Sequence, residues 1–292
     1  MLETLKTLKA AFPMLKGALK SGQLFRPQCQ MVAPDPDVLC DYDVEIPMSE
    51  GYALTCNIFR SKTAQSDGRA MPVIMCAHPY DNHLTKALGK TPFGGPPQQY
   101  RLIGQAGGRP QFSTLTSWES PDPNFWVPAG YTLVNVNLPG YANSGGPGSI
   151  VSQHQAKCYR EAITWVGAQS WCDGNVGLNG VSYLSITQCF AAGGPADQIP
   201  PALKCICPWE GFTNTYHDLA CAGGVADTTF LNFWWHTEVK EPLNNPREDF
   251  LAREGAIPPE TLAAHPFYDD YWKQKTANLG DITVPMLVCA SF

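Results

Sequence analysis

"GNVGLNGVSYLSITQCFAAGG", residues 174–194, is the stretch on which the fold turns. A short apolar run at 175–179 leads through Gly180 to Ser182, and a helical stretch rich in small residues follows. A strand that turns sharply into a helix can hold a serine hydroxyl clear of its surroundings, provided small residues let the helix cross the strand. Gly180 meets that need two places before Ser182, whereas the residue two places after it is Leu184, so the generic Gly-x-Ser-x-Gly spacing is incomplete. Taken alone, the segment fits an exposed nucleophile and equally fits a serine capping a helix N-terminus.

Outward from this turn, the chain alternates between strand and helix signals. "YDVEIPMSEGYALTCNIFR" reads as a hairpin around a Ser-Glu-Gly turn. "MPVIMCAHPY", "GYTLVNVNLPG" and "LKCICPW" are short apolar runs ended by loop residues, as in strands covered on both faces. Between them, "HQAKCYREAITWVGAQ" (154–169) puts Tyr159, Ile163 and Val166 on one helical stripe. Strand, helix, strand, helix, strand predicts an α/β fold with a doubly wound, mostly parallel sheet. The 81–125 stretch has no periodicity and reads as a long loop of the kind that tends to carry function. Residues 213 to about 275 are aromatic and helical in pattern, an inserted layer over the sheet, and "ITVPMLVCASF" reads as a return to a buried strand. The expected division is an N-terminal extension over 1–42, an α/β core over 43–212, a helical cap over 213–279 and the return strand over 280–292.

Composition narrows the function classes. A chain of 292 residues with 44% hydrophobic and 16% charged residues can bury a sizeable core and is expected to be folded. A net charge of −6 with no basic run argues against nucleic acid as a partner and favours small molecules or short peptides. Cys76, Cys205, Cys207 and Cys289, four of eleven cysteines, lie in apolar runs and read as buried thiols of a reducing, cytoplasmic setting. Neither the Cys-x-Cys at 205–207 nor the six scattered histidines has metal-ligand spacing, so no metal or cofactor is expected. No window approaches 18 uninterrupted apolar residues, so no spanning helix is expected. The first twenty residues carry Leu2, Leu5, Leu8, Phe12, Leu15 and Leu19 at helical spacing opposite lysines, a surface helix packed on the body rather than a secretory signal.

"WCDGNVGLNGVSYL" (171–184) resembles the nucleophile segment of the X-Pro dipeptidyl-peptidase and CocE/NonD hydrolase family, with its W-x-x-G-x-V-G-x-x-G-x-S-Y pattern. Further segments resemble the family in order: "IPMSEGYALTCNIFR" its opening hairpin, "HPYD" (78–81) its N-P-Y loop, and "PAGYTLVNVNLPGYANSGG" its next strand and loop. "PWEGFTNTYHDLACAGG" (208–224) and "HPFYDDYWKQKTANLGDITVPMLV" resemble the entry to and exit from its helical insertion. The resemblance covers roughly 43–292 and implies an α/β-hydrolase with a helical cap. It implies that Ser182 is the acylated nucleophile, that the Tyr183 backbone N–H is one oxyanion donor, and that the Tyr80 phenol is the second. The departures are Ser185 where the family has Gly, and Pro139-Gly140 where it has Arg-Gly. Trp209, Phe212, Tyr216, Phe233, Trp234 and Trp235 cluster where the family builds its acyl pocket. Trp209, Phe212, Tyr216, Trp234 and Trp235 are the expected substrate-binding set, although such aromatics also serve as core between cap and body.

A serine hydroxyl needs a base, and in this superfamily the acid and then the histidine follow the serine in the chain. His78, His83 and His154 precede Ser182; His217, His236 and His265 fall in the helical insertion and read as surface or packing residues. The resemblance implies that the acid follows "PMLVCASF" and the histidine a later strand, so both are expected beyond Phe292, along with the family's C-terminal β-sandwich. The chain then reads as a C-terminally incomplete serine hydrolase acting on ester or amide bonds, acyl or X-Pro. The alternatives are a catalytically inactive α/β-hydrolase-like binding module and a regulatory protein using its first twenty residues as a partner or membrane helix. A homo-oligomer is compatible with each.

Overall fold

The computed structural model describes Lys16 and residues 30–83, 111–244 and 247–290. The helix expected over the first twenty residues, and most of the 81–125 loop, lie outside the described residues.

A six-stranded sheet organises the molecule. Its strands are β2 (Val38–Pro47), β3 (Ala53–Ser61), β4 (Met71–His78), β6 (Thr132–Asn137), β7 (Cys172–Val181) and β8 (Leu203–Trp209), in the order β2-β3-β6-β4-β7-β8. β2 and β3 form the expected hairpin, with Ile46 opposite Leu54 and Val44 opposite Cys56, and β3 runs antiparallel to β6. From β6 through β4 and β7 to β8 every pair is parallel. A separate parallel ladder joins β1 (Gln30–Val32) to β5 (Gln111–Ser113).

The parallel pairs require crossovers, and helices supply them. The helix Gln153–Gly167 links β6 to β7, starts on the Ser152 hydroxyl, which accepts the Gln155 N–H, and buries Tyr159, Ile163 and Val166 completely. The helix Tyr183–Ala192 links β7 to β8 and has all ten residues buried. These helices bury one face of the sheet with Val73, Met75, Val134, Val136, Val176 and Leu178. The other face is closed by Val38, Phe59, Ile74, Leu133, Leu115 and Val127. Burial on both faces is why the central strands read as unbroken apolar runs. The fold is α/β with a mostly parallel sheet, as the alternation predicts.

Beyond β8 the chain forms short helices, including Phe230–Trp234 and Arg247–Glu254, and two π-helical turns. The run after residue 280 departs from expectation. It aligns parallel to β8 through backbone hydrogen bonds between Ile206 and Pro285 and between Cys289 and Pro208, in bridges rather than a continuous strand. Met286, Leu287 and Val288 are 47%, 65% and 59% exposed, so this run is not a buried strand. Its place on the outer edge of β8 leaves these side chains without the packed layers that bury β4 and β7.

Candidate active site

Ser182 stands between β7 and the helix Tyr183–Ala192 with φ 59° and ψ −118°. An L-residue rarely adopts this conformation, and it is held here from several sides. The Ser182 N–H donates to the Trp209 carbonyl at 2.9 Å, and the Ser182 carbonyl accepts the Ser185 and Ile186 N–H groups at 2.9 and 3.1 Å. The serine occupies the N-cap position, yet its side chain makes no capping hydrogen bond. A capping serine has extended backbone and bonds to the N2 or N3 N–H, so the capping reading fails on both counts.

Small residues make the turn possible. Gly180 has φ 149°, and a Cβ there would sit 2.5 Å from the Leu184 Cβ. A Cβ on Gly211, just past β8, would lie 2.8 Å from the Ser185 Cβ. Gly211 therefore provides the room for the serine at 185. Gln188 locks the helix to the sheet: its amide donates to the Leu184 carbonyl at 2.9 Å while its side-chain oxygen accepts the Cys207 N–H at 2.9 Å.

Tyr80 lies in the loop after β4 and is 1% exposed. Its ring packs edge-on against Tyr183, centroids 6.1 Å apart, which brings it beside the residue following Ser182. Its hydroxyl accepts the Trp234 indole N–H at 3.0 Å. Burial pushes this phenol well above its usual range, with the Glu238 carboxylate adding to the rise, so it keeps its proton. The Tyr183 hydroxyl donates to Gln155 at 2.7 Å and accepts the Val151 N–H at 2.8 Å. The residue expected to give a backbone oxyanion donor is thus anchored through its side chain.

Two participants escape a sequence reading. His78 is fully buried, and its Nδ1 accepts the Tyr80 N–H at 3.2 Å. That contact leaves the proton on Nε2, facing the Ser117 hydroxyl at 3.3 Å. Burial holds the imidazole down to about 3, so it is a neutral brace for the Tyr80 loop. Glu119 lies beside the Ser182 hydroxyl, and its carbonyl accepts the Val181 N–H at 3.3 Å. Burial raises its carboxyl well above the usual range, the nearby Glu238 and Glu210 carboxylates add to the rise, and the Ser182 contact offsets part of it. Its Oε2 is buried without a partner among the described residues. "SWESPDP" gives no periodic or spacing signal for this placement, which arises only when the loop folds over the end of β7.

The five expected substrate-binding aromatics part company. Trp234 and Phe212 line an apolar pocket under the helical layer, together with Leu231, Phe250 and Trp272. Trp209 is 42% exposed at the end of β8, its indole N–H directed to the Cys207 sulfur at 2.9 Å. Tyr216 packs with Tyr268 and Trp272 and donates its hydroxyl to the Pro266 carbonyl at 3.0 Å. Trp235 is 2% exposed and packs on Phe250 with centroids 5.2 Å apart, which makes it core of the helical layer and leaves it no face for a substrate.

The histidines serve local roles. His83 pairs with Asp43 and His154 with Glu50, each at 3.1 Å, and His265 pairs with Asp269 at 2.7 Å. His217 packs against the Tyr216 and Tyr268 rings.

The chain is similar to known proteins in sequence and in fold. The model of the X-Pro dipeptidyl-peptidase (S15) family matches residues 50–292. Cocaine esterase from Rhodococcus sp. (strain MB1 Bresler) is 26% identical over 216 residues, covering 73% of this chain and 31% of the esterase. A CocE/NonD family hydrolase from Staphylococcus aureus superposes with a TM-score of 0.64 at 33% identity, over 85% of this chain and 40% of that one. An α-amino acid ester hydrolase, at 21% identity and a TM-score of 0.56, shares the fold over 88% of this chain and 44% of its own. The chain thus spans between about a third and a half of the length of these relatives. With a family match that runs through the sheet and the helical layer, the chain belongs to the X-Pro dipeptidyl-peptidase (S15) family of hydrolases.

Proposed function

We propose that this chain is the nucleophile-bearing part of a serine hydrolase that cleaves ester or amide bonds, acyl or X-Pro, through an acyl-enzyme on Ser182. The observation that carries the reading is the Ser182 backbone, held at φ 59° and ψ −118° with the side chain free of any capping bond. Such strain is retained where it exposes a reacting group.

In the proposed reaction the Ser182 Oγ attacks the substrate carbonyl carbon and its proton passes to a base. The carbonyl oxygen becomes an oxyanion that receives hydrogen bonds from the Tyr183 backbone N–H and the Tyr80 phenol. Each preorganised donor of this kind contributes about 3–4 kcal/mol to the transition state. The intermediate collapses as the bond to the leaving alcohol or amine breaks, and the leaving group takes up the proton. Water then attacks the acyl-enzyme, releasing the acid and restoring Ser182. The base and its orienting acid are left to the part of the relatives' length that this chain does not span. A reducing, cytoplasmic setting is part of the proposal; of the four cysteines expected to be buried, Cys76 is, whereas Cys205 is exposed and Cys207 and Cys289 are half-buried at the thinly covered edge of β8.

The test is turnover of p-nitrophenyl acyl esters and X-Pro p-nitroanilides by the full-length hydrolase and its Ser182→Ala and Tyr80→Phe variants. The reading expects Ser182→Ala to abolish turnover of whichever class is cleaved, and Tyr80→Phe to lower kcat about 100-fold. Full turnover by Ser182→Ala overturns it.

A further inference from the structure

The contact between Trp234 and Tyr80 joins residues 154 positions apart and links the helical layer directly to the loop after β4. Its chemistry is one-directional. An indole N–H only donates, so the Tyr80 oxygen is the acceptor at 3.0 Å. The contact fills one lone pair of the phenol and leaves the phenolic proton unspent, and among the described residues none accepts that proton. A hydroxyl hydrogen otherwise rotates to suit its surroundings, so an N–H fixed on one side of the oxygen limits the directions left to it.

The indole is itself fixed. Its ring stacks on Tyr183 with centroids 5.9 Å apart and planes 26° apart, and on Phe230 at 6.4 Å and 10°. Tyr183 is held by Gln155 and Val151, and Tyr80 packs edge-on against Tyr183. Trp234, Tyr80 and Tyr183 thus form a closed triangle, and two of its corners are the residues assigned as oxyanion donors.

We infer that Trp234 is a positioning residue of the oxyanion hole, its indole N–H aiming the Tyr80 hydroxyl at the developing negative charge, so that the helical layer completes the hole. The inference rests on the assignment of Tyr80 as an oxyanion donor. It gives Trp234 a role distinct from that of a pocket wall: a wall acts on substrate binding, whereas a residue that orients a donor acts where charge develops.

The test is a double-mutant cycle in the full-length hydrolase. Trp234→Phe keeps an aromatic ring and removes the N–H; Tyr80→Phe removes the acceptor. The readouts are kcat and KM on a p-nitrophenyl ester, and the rate of Ser182 phosphonylation by a fluorophosphonate. Tyr80→Phe is expected to lower kcat about 100-fold. Trp234→Phe is expected to lower it about tenfold, the size of one net hydrogen bond of about 1.4 kcal/mol, with KM within about twofold. In the Tyr80→Phe background, Trp234→Phe is expected to cost nothing further. Multiplicative effects of the two substitutions, or a change confined to KM, overturn the inference. An unchanged kcat in Tyr80→Phe alone instead overturns the assignment of Tyr80. Should Trp234→Phe fail to fold, Phe230→Ala replaces it: this ring is 46% exposed and stacks on Trp234. The expected outcome is a fall of about threefold in kcat that vanishes in the Tyr80→Phe background, as coupled neighbours require; an equal fall in both backgrounds contradicts it.

Discussion

The elbow between β7 and β8 and the helical layer above it hold their functional groups by different means. At the elbow the backbone decides: Gly180 and Gly211 admit the crossing helix, and the Ser182 main chain is fixed by donating to the Trp209 carbonyl and accepting the Ser185 and Ile186 N–H groups. In the layer the helices are short and interrupted by π-turns, and large side chains decide instead, with Trp234, Trp235 and Trp272 buried among other rings. On the proposed reading, the nucleophile is held by a rigid backbone turn and its fine positioning by a side-chain-packed layer that is easier to disturb.

The largest expected effect separates the two modes in the layer. Trp235→Ala removes a ring that is 2% exposed and packed on Phe250, and is expected to cost about 3–5 kcal/mol in urea unfolding. A cost below 1 kcal/mol would mean that side-chain packing does not hold the layer.

A pH titration sharpens the account of the loop that joins them. His78 is neutral in the fold, with its pKa held down to about 3 from 6.5. The unfolded chain binds a proton below 6.5 that the folded chain refuses, so this stability is complete above 6.5 and is lost as pH falls toward 3. Between pH 7.5 and pH 5 the His78 contribution is a loss of about 2 kcal/mol, and a His78→Gln variant is expected to lack that part of the slope. Equal slopes in both proteins would place His78 in solvent contact.

At the elbow, Gly211→Ala brings a Cβ to 2.8 Å from the Ser185 Cβ and 3.3 Å from the Ile186 nitrogen. It is expected to destabilise by about 1–3 kcal/mol, with roughly half recovered by adding Ser185→Gly. Independent, additive costs would show that the two positions do not share space.

A second pH dependence concerns Glu119. Its carboxyl is raised in the fold, so above the unfolded carboxyl pKa the unfolded chain is ionised while the folded chain keeps the proton, and stability falls as pH rises. Glu119→Gln removes this pH dependence, so the variant is expected to gain stability over the native chain at pH 7.5 and to show no such gain at pH 4. A loss at pH 7.5 would mean that Glu119 is a paired, ionised carboxylate.

How far the sequence carried the reading follows the same division. The sheet was legible because unbroken apolar runs and helix stripes are local, with Tyr159, Ile163 and Val166 the buried stripe, while at the turn Gly180 was legible as the small residue it demands but the capping alternative stayed open until the backbone of Ser182 was seen. The Trp234–Tyr80 bond and the Glu119 contact join residues far apart in the chain, so no spacing signals them. Trp235 shows the limit of composition, since a cluster of aromatics looks alike whether it lines a cleft or fills a core. The apolar run at 284–289 shows another: strand-like chemistry says nothing of whether a second layer covers it.

The most direct test of the central claim is the reaction of the full-length hydrolase with a fluorophosphonate, followed by peptide mapping of the adduct. The account predicts a single phosphonylated peptide carrying the adduct on Ser182, absent from the Ser182→Ala variant. An unmodified Ser182 in a folded, full-length protein, or an adduct on a different serine, would contradict it.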